Sequence, residues 1–363
     1  MKKSFVSVCI VLIFSVAGKC QNVSNLQVSK IISSTDTSLF DLDKILEITL
    51  KGNMQKLLNN RNGEAEYFPI LLSYKNGQGN EVVVPIQVKT RGHFRREKTN
   101  CTYPPLLLKF PGNNKNFSYF PANSSLKLVM PCRGDQFTVH EWLVYKLYNL
   151  VTPQSFRARL VKVNLENENN KIVASPFYGI ILEEEKQMAR RNNGVILKKK
   201  IKPQEIRQQS FLKMAVFEYL IANTDWSVEY LQNIKLVAAT PKSAPVGVPY
   251  DFDLAGIVNS PYAKPAEELQ MRSVRERRYR GYCVPDMKLF DSTIAFYNGL
   301  KTKIYDTYTN CSLLDSKYVR STIQFLDEFY ATLNNPKLLK RAFQYPCLPG
   351  GTGDVIIKGL KKK

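Results

Sequence analysis

The hydrophobic period of this 363-residue chain changes part of the way along it, and that change limits the folds open to it. PILLSY (69–74) and EVVVPIQVKTRG (81–92) read as strands, and the KNGQGN between them carries an Asn-Gly hairpin signal. Further strand-type runs follow at PPLLLKF (104–110), SLKLVMP (125–131), ARLVKVNLE (158–166) and PFYGIILEEE (176–185). One helical segment interrupts them. In TVHEWLVYKLYNLVT (138–152), Val139, Trp142, Leu143, Leu147 and Leu150 recur at helical spacing, with Thr138 and Glu141 placed to form a capping box. After residue 203 the pattern is mostly helical: QSFLKMAVFEYLIAN (209–223) places Phe211, Met214, Ala215, Leu220 and Ile221 at helical intervals, and 285–345 reads as two or three helices. A mostly β first half and a mostly helical second half predict an α+β fold.

Where the two halves meet, NTDWSVEYLQNIKLVAATPKSAPVGVPYDFDLAG (223–256) reads as a strand, a turn and a returning strand. An antiparallel hairpin brings the start of its first strand beside the end of its second. Asn233 opens the first strand and Asp251 closes the second, while Asp225 arrives from the preceding loop. Two carboxylates and a carboxamide at one point suit Mg²⁺ or Mn²⁺, which take hard oxygen ligands and share the remainder with phosphate and water. Phosphoryl transfer needs such a set: one Asp to orient the acceptor hydroxyl, an Asn and a second Asp to hold metal. Asn and Asp also stabilise ordinary turns, the structural alternative for the same residues.

The N-terminus, MKKSFVSVCIVLIFSVAGKCQN, has the layout of a secretory signal over 1–20, and its apolar run is too short for a membrane-spanning helix. A retained anchor is the alternative, and Cys20 raises a lipoprotein possibility that Lys19 before it spoils. No later stretch is apolar enough to span a membrane. Loss of Lys2, Lys3 and Lys19 with the signal lowers the formal charge from +21 to +18. That balance favours acidic partners, though the cations are scattered rather than striped, which argues against nucleic acid. Cys101, Cys132, Cys283, Cys311 and Cys347 follow the signal without any C-x-x-C pair, so disulfides are expected rather than a zinc site, with Cys101–Cys132 first. Two histidines, His93 and His140, leave little room for Ser-His-Asp or Cys-His catalysis.

The NTD of 223–225, Asn233 and PYDFD (249–253) together resemble the catalytic segment of CotH-type spore-coat kinases, a family of atypical protein kinases. TRGHFRR (90–96) is similar to the family's Arg-Gly phosphate loop, PPLLLKF to its lysine-bearing strand, and FYGIILEEEKQMARRNNGVILKK to its G-x-Y-x-x-x-E strand. The likeness runs from about residue 80 to 260. It implies a two-lobed kinase-like fold, with a β-rich lobe over 21–203 and a helical lobe over 204–348 containing the 223–256 hairpin; the Gly- and Lys-rich composition of 349–363 separately predicts a mobile basic tail. The likeness further implies Asp225 as the catalytic Asp, with Asn233 and Asp251 as metal ligands and Asp253 as the rival of Asp251. Arg91 and Gly92 would approach nucleotide phosphates, Lys109 or Lys127 would pair with them, and Glu141 or Glu184 would orient that lysine. ATP with Mg²⁺ or Mn²⁺, and a secreted or envelope protein acceptor, complete the expectation. Three departures bear on activity: no G-x-G-x-x-G is present, the Asp225–Asn233 interval is long, and Asp253 replaces the Gly of DFG.

Two further features carry alternatives. SVRERRYRGYC (273–283) reads either as an exposed helix with local Glu276 pairing or as an arginine cluster for an acidic substrate. Asp251 with Asp253 could pose as a glycosidase pair, but no sugar-binding aromatic platform accompanies them.

Overall fold

A computed structural model describes Met1 and residues 39–41, 44–112 and 119–348. The chain divides into two compact units, Met1–Asp36 and Thr37–Lys363, and every element below belongs to the second. Beyond Met1, the expected signal lies outside the described residues, as does the expected tail. No helix among the described residues is long and apolar enough to cross a membrane.

Strands occupy the first half, as the period-two pattern predicts. β1 (Leu46–Gly52), β2 (Phe68–Lys75), β3 (Glu81–Thr90), β4 (Leu106–Lys109), β5 (Ser125–Val129), β6 (Ala158–Glu166) and β7 (Ile172–Leu182) close into one barrel in the order β1-β2-β3-β4-β5-β7-β6. Alternate side chains point inward. Leu46, Ile48 and Leu50 of β1 meet Ile70, Leu72 and Tyr74 of β2 and Val84, Ile86 and Val88 of β3 in the barrel core. β6 seals the barrel by running parallel to β1, from Leu46↔Val161 to Lys51↔Glu166. The other barrel pairings are antiparallel.

α2 (Asp135–Val151), which follows the short α1 (Met54–Asn59), starts earlier than its apolar spacing predicts. Gly134 takes φ +118 and lets the chain turn into the helix there. Thr138 and Glu141 are therefore buried inside the helix, and the expected capping box does not form. The acidic triplet at the end of β7 also differs from a strand. Glu183 is buried between Arg157 and Arg191, and Glu184 caps α3 (Glu185–Arg191) by accepting from Gln187 N at 3.0 Å.

A second sheet has the order β10-β9-β8, built from β8 (Val195–Leu197), β9 (Ile234–Ala238) and β10 (Val246–Pro249). β8 precedes residue 203, yet it pairs with β9 rather than with the barrel. α4 (Gln208–Leu220) packs on β10, α5 (Asp291–Thr309) on α2 and α4, α6 (Ser316–Leu333) on α5, and α7 (Pro336–Phe343) on α6. α4 is apolar on nearly all sides because it is covered on nearly all sides, from Phe211 to Leu220. α2 contributes Leu143, Val144 and Leu147 to this second core.

The arginine-rich stretch 273–283 forms no helix. Its side chains serve the fold instead: Arg277 donates to the Phe325 and Leu220 carbonyls and lies over the Phe325 ring, and Arg278 donates to Tyr345 Oη at 2.9 Å. Among the described residues, disulfides join Cys101 to Cys132, as expected, and Cys283 to Cys347, with Cys311 free.

Candidate active site

The β9–β10 hairpin forms in the predicted register. Ile234 faces Pro249, and Tyr250 N donates to Asn233 O at 3.0 Å, so Asn233 and Asp251 flank the open end of the ribbon. The loop that brings Asp225 there is tightly pinned. α4 ends as Ala222 takes φ +52, Asn223 N returns to Glu218 O at 2.8 Å, and Asn223 Oδ1 accepts from Asp225 N at 3.1 Å. A miniature turn, with Ser227 and Gln232 exchanging both backbone bonds, then aims the chain into β9. Leu231, Asn233 and Asp251 also hold positive φ, at 52°, 50° and 65°. Conformations of this kind cost free energy outside glycine and cluster where a site fixes its side chains.

Asn233 Nδ2 donates to the Asp225 main-chain oxygen and to Asp225 Oδ2, both at 2.9 Å. The amide's N–H side is thereby committed, and its Oδ1 is the face left for another partner. Asp251 is placed by its backbone: its N–H donates to Tyr145 Oη of α2 at 2.9 Å. Phe252, between the two aspartates, is fully buried against Tyr145 and Phe217 and anchors the segment to α2 and α4. Burial first, and the Asp251 charge second, push the Asp225 carboxyl above the usual range, with Asn233 and Arg280 opposing. Asp225 and Asp251 are therefore near enough to repel, which is the condition a divalent cation relieves. Among the described residues no three His, Cys, Asp or Glu side chains group to hold a metal by themselves. Two carboxylates with one amide oxygen instead match the sparse protein share of a Mg²⁺ site completed by phosphate and water.

Asp253 is committed elsewhere. Tyr262 Oη donates to its Oδ2 at 3.0 Å, and Arg95 Nη1 approaches the same oxygen at 3.6 Å. Arg95 also reaches Glu141 Oε2 at 3.4 Å and donates through Nη2 to Met130 O at 2.8 Å. Burial works against the Arg95 charge, but Asp253, Tyr262, Glu141 and Asp251 outweigh it and raise its pKa. Burial pushes Asp253 up to about 6 and Glu141 up as well, each against the pull of Arg95. Glu141 thus pairs with an arginine of the 90–96 segment and not with a strand lysine. Asp253 is engaged by Arg95 and Tyr262 in this structure.

The lysine alternatives separate cleanly. Lys127 lies part-buried on β5 beside Tyr250, close enough to Asp251 to feel its charge. Lys109 is exposed on β4 over the Tyr67 ring, away from this cluster. Glu184, as the α3 cap, is likewise outside it. Arg91 reaches the Lys127–Tyr250 group, while Gly92 is exposed at φ +87. Sequence reasoning missed Arg95, Tyr262, Lys235 and Glu218. Lys235 had a readable signal, since alternation in NIKLVAA turns it to the face opposite Ile234 and Leu236. Nothing in TRGHFRR distinguishes Arg95 from its neighbours.

No protein-family model matches the chain, and no curated protein matches it. Among solved structures, one of the Golgi casein kinase aligns at 8% identity over 82% of this chain and 73% of that one, with a TM-score of 0.31. Another, of the Golgi casein kinase with Mn/ADP bound, aligns at 8% identity over 89% and 77%, with a TM-score of 0.32.

Proposed function

We propose that this chain is a two-lobed, kinase-like phosphotransferase that moves the terminal phosphoryl group of ATP to Ser or Thr hydroxyls of secreted or envelope proteins. The observation that carries the reading is the Asp225–Asn233 clasp at the open end of the hairpin that delivers Asp251. Asp225 orients the acceptor hydroxyl and takes its proton as the new O–P bond forms and ADP departs. Asn233, through Oδ1, and Asp251, through its carboxylate, are the residues that would hold Mg²⁺ or Mn²⁺. When bound, the ion neutralises charge on the transferring phosphate. Tyr145 and Phe252 keep Asp251 in place from behind. Arg95 ties the 90–96 segment to α2 through Glu141 and to the DFD segment through Asp253. Two disulfides support folding in an oxidising compartment, in keeping with an exported chain.

The test compares phosphate incorporation from labelled ATP with Mg²⁺ or Mn²⁺ in wild type, Asp225→Asn and Asp251→Asn. Removing the base is expected to lower the rate by about 10²–10⁴-fold. Equal incorporation in all three rejects the assignment. A second reading, a binding scaffold without catalysis, is favoured by one observation: Arg95 already brings a permanent cation to Asp253 and Glu141. It predicts that ATP with either metal leaves the melting temperature unchanged, because only a ligand of the native state raises it.

A further inference from the structure

β8 is the outer strand of the second sheet, and one of its edges faces no other strand. Its pairs with β9 run from Val195↔Ala238 to Leu197↔Leu236. Gly194 lets the chain come close to β9, since a Cβ there would stand 2.8 Å from Val237 Cγ1. Antiparallel pairing uses the backbone groups that face β9 and leaves the others pointing away from the sheet. Among the described residues, Val195, Ile196 and Leu197 have no hydrogen-bond partner beyond β9. Val195 is exposed, and Ile196 and Leu197 are half-buried.

Two features select a partner for this edge. The first is charge. Lys198, Lys199 and Lys200 follow the strand, and α3, packed on β8, adds Lys186 and Arg190; all are exposed. Of the neighbouring acids, Glu185 is bonded to Lys235 at 2.7 Å and Glu184 caps α3. A second copy of the same edge would set lysines against lysines, whereas an acidic segment is attracted. The second feature is direction. Continued past Leu197↔Leu236, the register carries 198–200 alongside 233–235. Two contacts follow that course: Lys198 is near enough to Glu185 to act on its charge, and Lys200 lies over the Tyr230 ring at 5.6 Å. Tyr230 belongs to the miniature turn that follows Asp225. The edge therefore leads to the open end of the β9–β10 hairpin.

We propose that the outer edge of β8 is the docking site of the protein acceptor, which adds an extended, acid-rich segment to the sheet as a fourth strand. The role of the bound segment rests on the phosphotransfer reading; the edge and its charge stand without it. Strand addition draws affinity from main-chain bonds, and the lysines choose among segments. Neighbouring strands lie about 4.8 Å apart, so the added strand runs about 10 Å from β9. About three residues beyond it, at about 3.3 Å each, cover that gap and bring a hydroxyl toward Asp225.

The test is fluorescence anisotropy of the full chain with a labelled acidic peptide, EVEVSVEVE, without nucleotide, at low and physiological salt. Binding is expected, and weaker at the higher salt. Lys198→Glu combined with Lys199→Glu is expected to weaken it by roughly tenfold or more. Lys109→Glu, an exposed lysine on β4, is expected to leave it unchanged, and circular dichroism confirms that each variant is folded. The fully N-methylated peptide keeps the charges but cannot pair, and is expected not to bind. Equal binding of the methylated peptide, or equal weakening by Lys109→Glu, overturns the site in favour of diffuse charge. Failure of wild type to bind at low salt also overturns it, and sedimentation of the chain as a dimer would then give the edge to a second copy. Binding that depends on Lys198 and Lys199 in a chain that transfers no phosphate from ATP supports the docking edge and rejects the kinase reading. Equal transfer to the peptide, below saturation, by wild type and the double lysine variant rejects the edge alone.

Discussion

Arg95 carries the largest structural consequence of any single side chain near the site. Its guanidinium forms ion pairs with both Glu141 and Asp253. Breaking a buried pair from one side strands the other charge, at a cost of about 3–5 kcal/mol. Arg95→Ala is therefore expected to lower the urea midpoint by that equivalent, and Arg95→Lys to recover part of it. A loss under about 1 kcal/mol, the scale of an exposed pair, would show that water screens the trio. Glu218 presents the opposite problem. It is fully buried at the end of α4, and burial pushes it from 4.5 up to about 8 against the opposing pull of the Asn223 amide beside it. Between those values the folded chain binds more protons than the unfolded one, so stability falls as pH rises through the window, by at most about 1.4 kcal/mol per unit. Glu218→Gln removes that slope. Its stability relative to wild type is expected to grow from about pH 5 to about pH 8 in urea melts, and a constant gap would refute the buried-acid account.

At the scale of elements, the hairpin that bears Asn233 and Asp251 depends on how closely it lies on α4. A Cβ added at Gly247 would stand 2.7 Å from Met214 Sδ and 3.4 Å from Ile206 Cδ1. Gly247→Ala overpacks that contact and is expected to cost about 1–3 kcal/mol. Because the clash lifts β10 from α4, phosphotransfer should fall by more than the folded fraction does, measured as activity per folded molecule. Local pattern made much of this architecture readable. Alternation gave β2, β3 and the full extent of β6, and the turn between NIKLVAA and VPYDFD gave the hairpin, hence the placing of Asn233 and Asp251 at its open end. What escaped depends on contacts that no local window contains. Strand alternation could not say that β6 would pair parallel to β1 and close a barrel, because parallel pairing leaves no turn signal. The apolar spacing of α2 could not reveal its start, which Gly134 sets through backbone freedom. The 273–283 arginines resemble a helix face in sequence, yet carbonyls and rings from α4 and α6 hold them in irregular chain. Nothing in PYDFD shows that Arg95 and Tyr262 hold Asp253, because both partners lie outside it.

On the scale of the whole molecule, two hydrophobic cores meet along α2, which lies on barrel strands β6 and β7 and buries Leu143, Val144 and Leu147 among the C-terminal helices. Each side of this junction has its own covalent tie. Cys101–Cys132 closes the loop that holds β4 and β5, between Arg95 and the start of α2, and Cys283–Cys347 encloses α5, α6 and α7. Their sequence separations of 31 and 64 place the loop-closure contribution of each at about 3–5 kcal/mol. The two are not expected to act alike on function. Replacing Cys283 and Cys347 by Ser should lower the melting temperature while leaving phosphotransfer per folded molecule unchanged, because no site residue lies within that loop. Replacing Cys101 and Cys132 should lower both, since the Met130 carbonyl that accepts from Arg95 sits two residues from Cys132. Losing that tie lets the 90–96 segment drift from Glu141 and Asp253. Equal activity in the two double variants, each measured below its melting transition, would show that the Arg95 contacts hold without the covalent bracket.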